Sequence, residues 1–182
     1  MRRCEWAGND PLYIKYHDEE WGKPNHDDRK HFEFIVLESA QAGLSWIIIL
    51  RKRENYRKYY KNFDPDKVSK FGEKEIEEMM KDPGIIRYRR KIEASINNAK
   101  RFLEIQKEFG SFDKYIWSFV DNKPIVNHWE SIEDVPSKNQ LSDKISKDLK
   151  KRGFKFIGST IIYSYLQAMG LINDHTRYCD FE

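Results

Sequence analysis

The chain has 182 residues, 35 % of them charged, with 33 Lys+Arg against 30 Asp+Glu and a net charge of +3. That length suits one compact domain, or at most two small ones, with a core large enough to need no disulfide framework. An aromatic content of 14 % excludes a disordered chain, while +3 is too weak to announce a nucleic-acid binder, so any such partner has to be argued from local clusters.

Met1-Arg2-Arg3-Cys4-Glu5-Trp6 is basic, but no apolar stretch follows it, so no secretory signal is expected. Trp6, Tyr13, Tyr16 and Trp21 then crowd a segment that also holds Gly8, Asn9, Pro11 and Gly22. It reads as a loop whose aromatics either cover the edge of a core or pack on a ligand. Phe32, Ile35, Val36, Ser39 and Ala40 repeat at i, i+3, i+4, i+7 and i+8, one face of a helix. Gly43 is placed to end that helix and Ser45 to cap the next, which begins with Trp46-Ile47-Ile48-Ile49-Leu50 and continues into the solvated run Arg51 to Asn55. The most apolar region, Phe32 to Leu50, is interrupted by Glu33, Glu38 and Gln41, so no membrane span is expected and the cytoplasm is the expected compartment.

Asp64-Pro65 supplies an N-cap and a proline at a first helical position. A short acidic helix is predicted from Glu73 to Lys81, a break at Asp82-Pro83-Gly84, and a long basic helix from about Tyr88 to about Glu108. Ser111 can cap a helix through Phe119, Asp121 to Asn139 reads as loop around Pro124 and Pro136, and Leu141 to Arg152 is amphipathic and basic. After Gly153 a mostly apolar helix is predicted from about Ser159 to Met169. With no repeat and no alternating Thr/Val-rich run, the fold class is all-α, one domain over residues 1–182.

The cysteines, Cys4 and Cys179, sit with His17, thirteen residues after Cys4, and His175, four residues before Cys179. Two Cys and two His make the tetrahedral set that zinc favours. The spacing is unlike that of a zinc finger and fits equally well two buried thiols with two surface histidines. Glu38 is flanked by Val36, Leu37, Ala40 and Leu44; a carboxylate in such surroundings is costly unless paired, and desolvation raises its pKa. A solvated face remains the alternative. Gln41 to Trp46 reads as a tight inter-helix turn showing Leu44 at its tip, an apolar wedge for a base stack or an inward core residue. At the start of the long basic helix, Arg87, Arg89, Arg90 and Lys91 stand where the helix dipole prefers acids, which makes sense if a phosphate lies there. Lys144, Lys147, Lys150, Lys151, Arg152 and Lys155 form a second basic cluster; both clusters are also readable as solvated surface.

Taken together, these residues resemble the DNA-3-methyladenine glycosylase I family. The stretches that carry the resemblance are Arg3-Cys4-Glu5-Trp6, Asp10 to Asp18, Glu20-Trp21-Gly22, Leu37-Glu38, Gln41 to Trp46, Lys52 to Tyr56, Lys150 to Gly158 and Asn173-Asp174-His175. The resemblance implies an all-helical glycosylase of the helix-hairpin-helix superfamily, with the motif at about 73–108 and the hairpin at Lys81 to Lys91. It implies one structural Zn2+ held by Cys4, His17, His175 and Cys179, clipping residues 4–17 to 175–179. It implies a catalytic Glu38 in a base pocket with Tyr16 and Trp46, and with Tyr13, Trp6 and Trp21 close by. DNA contacts are expected from Gln41, Gly43, Leu44, Gly84, Arg87, Arg89, Lys151 and Arg152. The expected partners are double-stranded alkylated DNA and the released 3-methyladenine, and the expected state is a monomer.

Two departures stand out. The superfamily hairpin usually has a second glycine where this chain has Ile86, and the family lacks the usual aspartate after the hairpin, so none is assigned. A zinc-stabilised nucleic-acid-binding module without activity is the rival reading. It accounts for the basic clusters and the ligand set but not for a carboxylate in an apolar helix beside stacking aromatics.

Overall fold

The computed structural model describes Met1 to Phe181. Its helices follow in chain order as α1 (Pro11–Glu19), α2 (Asp28–Gln41), α3 (Trp46–Tyr59), α4 (Pro65–Val68), α5 (Glu73–Lys81), α6 (Arg89–Phe109), α7 (Phe112–Ser118), α8 (Gln140–Lys151) and α9 (Ser159–Ala168). The expected all-α class needs one correction. Two short strands, β1 (Ile125–Val126) and β2 (Ile172–Asn173), pair in parallel with Ile125 opposite Ile172. They draw the 121–139 segment, read as plain loop, against the C-terminal segment.

A second correction concerns the N-terminal segment. Pro11 to Glu19 is a helix, not a loop: the Asp10 side chain accepts from Leu12 N and Pro11 pre-sets the first turn. Asp64-Pro65 does the same for α4, as expected. Ser45 occupies the N-cap of α3 as expected, but its exposed side chain makes no capping bond.

α2 is the centre of the molecule. Every residue from His31 to Ala40 is buried, and the helix packs against α3, α6, α7 and α9. A helix buried all round has no solvated face for its polar residues, so each must find a partner inside. His31 does so, with Nδ1 at 2.5 Å from Tyr165 Oη and Nε2 at 2.9 Å from Asp113. Glu33 does so through Arg53 Nε at 2.8 Å and Lys30 Nζ at 2.9 Å. Burial would push its carboxyl up, but Arg53 and Lys30 outweigh it and hold Glu33 below the usual carboxylate range.

The turn between α5 and α6 is built on Asp82, whose carboxylate accepts from Gly84 N at 2.7 Å and from Tyr59 Oη at 2.7 Å. Tyr56 Oη accepts from Ile86 N at 3.2 Å, and Lys52 Nζ donates to Pro83 O. Three side chains of α3 thus root this turn. A Cβ on Gly84 would stand 1.9 Å from Asn55 Nδ2, so the residue lets the turn and α3 approach closely.

Candidate active site

A cavity of about 420 Å³ opens between the N-terminal segment, α2, the loop carrying Val135 and Pro136, and α9. All six expected pocket residues line it: Trp6, Tyr13, Tyr16, Trp21, Glu38 and Trp46, with Gln41 beside them. Trp6 stands edge-on to Tyr13 at 5.5 Å and to Trp21 at 4.9 Å between ring centres. Tyr16 tilts over Trp46 at 5.4 Å, and Phe34 backs Trp46 at 6.3 Å. Most of these contacts are edge-on or tilted, the geometry aromatic rings prefer, and they fix a rigid wall.

Glu38 is 4 % exposed and has no hydrogen-bond or ion-pair partner among the described residues. It lies one and a half turns beyond Glu33 on the same helix, yet nothing neutralises it. Desolvation pushes its carboxyl up to about 8. The indole Nε1 atoms of Trp6 and Trp46 are likewise buried without partners. Unpaired buried polar atoms cost stability, and two indoles carry them in the cavity that also holds the unpaired Glu38 carboxyl, which marks a site built for something that brings its own polar groups.

The far wall was not foreseen. Thr160, Tyr163, Ser164 and Gln167 of α9 line the cavity, with Ile132, Val135, Pro136 and Ser137. The 132–137 segment gave no sequence signal. The α9 residues did: Thr160, Ser164 and Gln167 fall at i, i+4 and i+7 in an otherwise apolar helix, a polar stripe on one face. Behind this wall Asp174 is fully buried and accepts from Tyr163 Oη at 2.5 Å, Gln167 Nε2 at 2.8 Å, Asn127 Nδ2 at 2.7 Å and Trp129 Nε1 at 2.7 Å. One carboxylate thereby ties α9 to the 125–129 segment and to its own neighbour, His175.

Cys4, His17 and Cys179 bring their ligand atoms within 4.8 Å of one another, all buried. Cys179 Sγ lies 3.5 Å from His17 Nε2, close to the edge of about 3.6 Å in a tetrahedron built on Zn–S of about 2.3 Å and Zn–N of about 2.1 Å. His175 lies outside that trio but packs edge-on against His17 at 4.9 Å, and its Nε2 is buried without a partner. Each imidazole has its Nδ1 engaged, His17 on Asp18 at 2.8 Å and His175 on Asn173 at 2.7 Å; His17 Nε2 accepts from Cys4 N at 3.3 Å, while His175 Nε2 is left for another bond. Burial lowers the pKa of both, His175 to about 4, so both rings are neutral at pH 7, as ligands must be. The Cys4–His17–Cys179 trio fits a metal ion, and the unpartnered His175 Nε2 beside it is the donor that would complete a set of four.

Gly22 holds this corner open. Its φ is +75°, and a Cβ there would stand 2.8 Å from His175 Cε1. Gly22→Ala is expected to cost roughly 1–3 kcal/mol from the backbone alone, plus displacement of the His175 ring, read as a lowered melting temperature. An unchanged melting temperature would contradict this packing.

Residues 6–182 match the family model described as methyladenine glycosylase. The chain is 50 % identical over 179 residues to the DNA-3-methyladenine glycosylase 1 of Escherichia coli strain K12, covering 98 % of this chain and 96 % of the relative. The chain belongs to the methyladenine glycosylase family. Two solved glycosylases share its backbone. A Y16F form of 3-methyladenine DNA glycosylase I in complex with 3-methyladenine matches with a TM-score of 0.96 at 38 % identity, over 100 % of this chain and 97 % of that one. The Staphylococcus aureus 3-methyladenine DNA glycosylase I, solved for the structural basis of 3-methyladenine recognition, matches with a TM-score of 0.95 at 39 % identity, over 100 % and 96 %.

On the surface of this glycosylase the expected DNA contacts separate into two groups. Gln41 lines the cavity and its Nε2 donates to Leu44 O at 2.6 Å, closing the turn in which Gly43 has a φ of +81°. Leu44 lies on a shallow groove with Met80, Ile85, Ile86 and Arg87. Arg87 and Lys151 are exposed and make no hydrogen bond or close ion pair among the described residues. Arg89 and Arg152 require correction as free charges for a phosphate. Arg89 binds Glu93 and Glu77 at 2.8 Å and Glu73 at 2.5 Å. Arg152 binds Asp148 at 2.9 Å and Glu108 at 2.7 Å and stacks on Tyr115. Arg89 at the start of α6 therefore answers the acidic face of α5, which explains it without an anion.

Among the described residues, no helix is long and apolar enough to cross a membrane.

Proposed function

We propose that this glycosylase excises 3-methyladenine from alkylated duplex DNA by hydrolysis, receiving the extruded base in the aromatic cavity and leaving an abasic site. The observation that carries the reading is Glu38: alone among the acids of α2 in having no partner, it faces a cavity walled by stacking aromatics. An adenine methylated at N3 carries a positive charge while still joined to deoxyribose. The leaving group is already activated, so one carboxylate suffices and no strong general acid is required. The base is extruded first, because its glycosidic bond cannot be reached inside the stack.

Tyr16 and Trp46 stack on the cationic base, with an attraction of about 1–2 kcal/mol once desolvated. Glu38, held neutral by burial in the empty cavity, is drawn into ionisation by the arriving cation; it accepts from the adenine edge and offsets the charge. Unmodified adenine is neutral and gains neither interaction. Leu44 and Gln41 fill the gap left in the duplex. The α5–α6 unit acts as the helix-hairpin-helix, with Gly84 and Arg87 at the phosphate backbone and Lys151 contributing from the second basic cluster. Cys4, His17, His175 and Cys179 would hold one structural zinc ion. Four protein donors would leave no position for water, so such an ion would brace the N-terminal aromatics and supply no chemistry.

The test is release of free base from methylated DNA. Wild-type protein is expected to release 3-methyladenine, and Trp46→Ala to lower the rate about 10- to 30-fold through the lost stacking. Absence of release by wild-type protein overturns the function; an unchanged rate in Trp46→Ala overturns the pocket.

A further inference from the structure

Lys91 is the third residue of α6, at the turn that the proposed function sets against DNA, yet its ammonium points into the protein. Nζ donates to Ala40 O at 2.9 Å and to Ala42 O at 2.8 Å. No carboxylate pairs with it among the described residues. Its neighbours Arg87 and Arg90 are exposed, while Lys91 is half-buried beside the Tyr88 ring at 5.7 Å. Burial lowers its pKa somewhat, the cost of taking a cation out of water.

What the ammonium holds is informative. Carbonyls at a helix C-terminus lack intrahelical partners, and a cation there meets the negative end of the dipole. Ala40 and Ala42 flank Gln41, and Glu38 lies less than one turn earlier on α2. The turn that follows is otherwise held by local bonds, Leu44 N to Gln41 O at 2.7 Å and Gln41 Nε2 to Leu44 O at 2.6 Å. On its other side the α5–α6 turn is rooted on α3 through Tyr56, Tyr59 and Lys52. Lys91 is thus the polar link between the start of α6 and the end of the helix that carries Glu38.

Resting on the function proposed above, we propose that Lys91 is a positioning residue: it ties the DNA-gripping turn to the C-terminal end of α2. When a phosphate backbone seats on that turn, the Gln41–Leu44 segment and Glu38 are held at the height at which an extruded base is received. The residue touches neither DNA nor base.

Lys91→Met keeps the stem and removes the donor; Lys91→Gln keeps a donor for one carbonyl. Three quantities are read in each: the single-turnover rate on methylated duplex, the salt dependence of duplex binding, and the affinity for free 3-methyladenine followed by tryptophan fluorescence. The expected result for Lys91→Met is a rate about 10-fold lower, with free-base affinity within twofold of wild type and an unchanged salt slope; Lys91→Gln is intermediate. A salt slope reduced by about 0.9 makes Lys91 a phosphate contact and overturns the proposal. A wild-type duplex rate in both variants overturns it too, as does a fall in free-base affinity that matches the fall in rate. Should Lys91→Met unfold, Lys91→Gln carries the same three readings. Absence of base release by wild-type protein would instead defeat the underlying function.

Discussion

Glu38→Gln is expected to lower excision of 3-methyladenine about 100- to 1000-fold while the protein stays folded. The range is that for removing one preorganised electrostatic group from a water-excluded site. Glutamine keeps the volume and an acceptor oxygen but cannot ionise against a cationic base. The same substitution has a signature in stability. The carboxyl moves from the ordinary 4.5 to about 8 in the folded protein. Between those values the folded state holds a proton that the unfolded state has lost, so Glu38 makes stability fall as pH rises, and the full cost is present above about 8. Glu38→Gln should therefore melt at a higher temperature than wild type at pH 8–9. In the wild-type enzyme kcat/KM should climb with pH to a midpoint near 8, set by the free enzyme, and Glu38→Gln should flatten that limb. Unaltered release of base, or a variant that melts lower at high pH, would sink the assignment.

Cys179→Ser is expected to remove bound zinc and lower the melting temperature by roughly 10 °C. The size follows from loop closure: a cross-link between Cys4 and Cys179 closes a loop of more than 170 residues, worth about 3–5 kcal/mol, and each kcal/mol moves the midpoint of a chain this long by roughly 2–4 °C. Chelation should reproduce the shift in wild-type protein and add nothing in the variant. Pocket chemistry should follow at a distance, because Trp6 packs on His17 at 5.2 Å and on Trp21 at 4.9 Å. Metal analysis and calorimetry check both points. Wild-type protein isolated without metal and melting at the same temperature as Cys179→Ser would falsify the clip.

Much of this molecule is legible in the sequence where local chemistry decides. Asp64-Pro65, the Glu73–Lys81 helix, the break at Pro83-Gly84 and the long helix into Gly110 all follow from caps, breakers and periodicity. Asp10-Pro11 carried the same signal as Asp64-Pro65 and was outweighed by surrounding glycine and asparagine, so α1 read as loop. Glu38 was legible as a strained choice because an acid among Val36, Leu37 and Ala40 has few inexpensive explanations. The outer wall of the pocket was not legible, since it forms where β1 pairs with β2 and brings residues 132–137 over the cavity, a long-range contact with no local pattern. Arg89 shows the converse limit. Its position at a helix start suggested an anion, but which carboxylates sit beside it depends on how α5 crosses α6.

The joining of the two ends bears on how the enzyme is made. Arg2 N donates to Asp180 Oδ2 and Asp180 N donates to Arg2 O, between residues 178 apart in the chain. Trp6, on the first turn of the molecule, leans on a corner completed by His175 and Cys179. During synthesis the first aromatics of the base pocket must therefore wait until His175 and Cys179 have been made. A nascent chain can fold α2 and its neighbours early, but its damage-recognising cavity closes only once the segment carrying His175 and Cys179 joins it, so copies halted before that segment carry a DNA-facing surface without the means to cut a base.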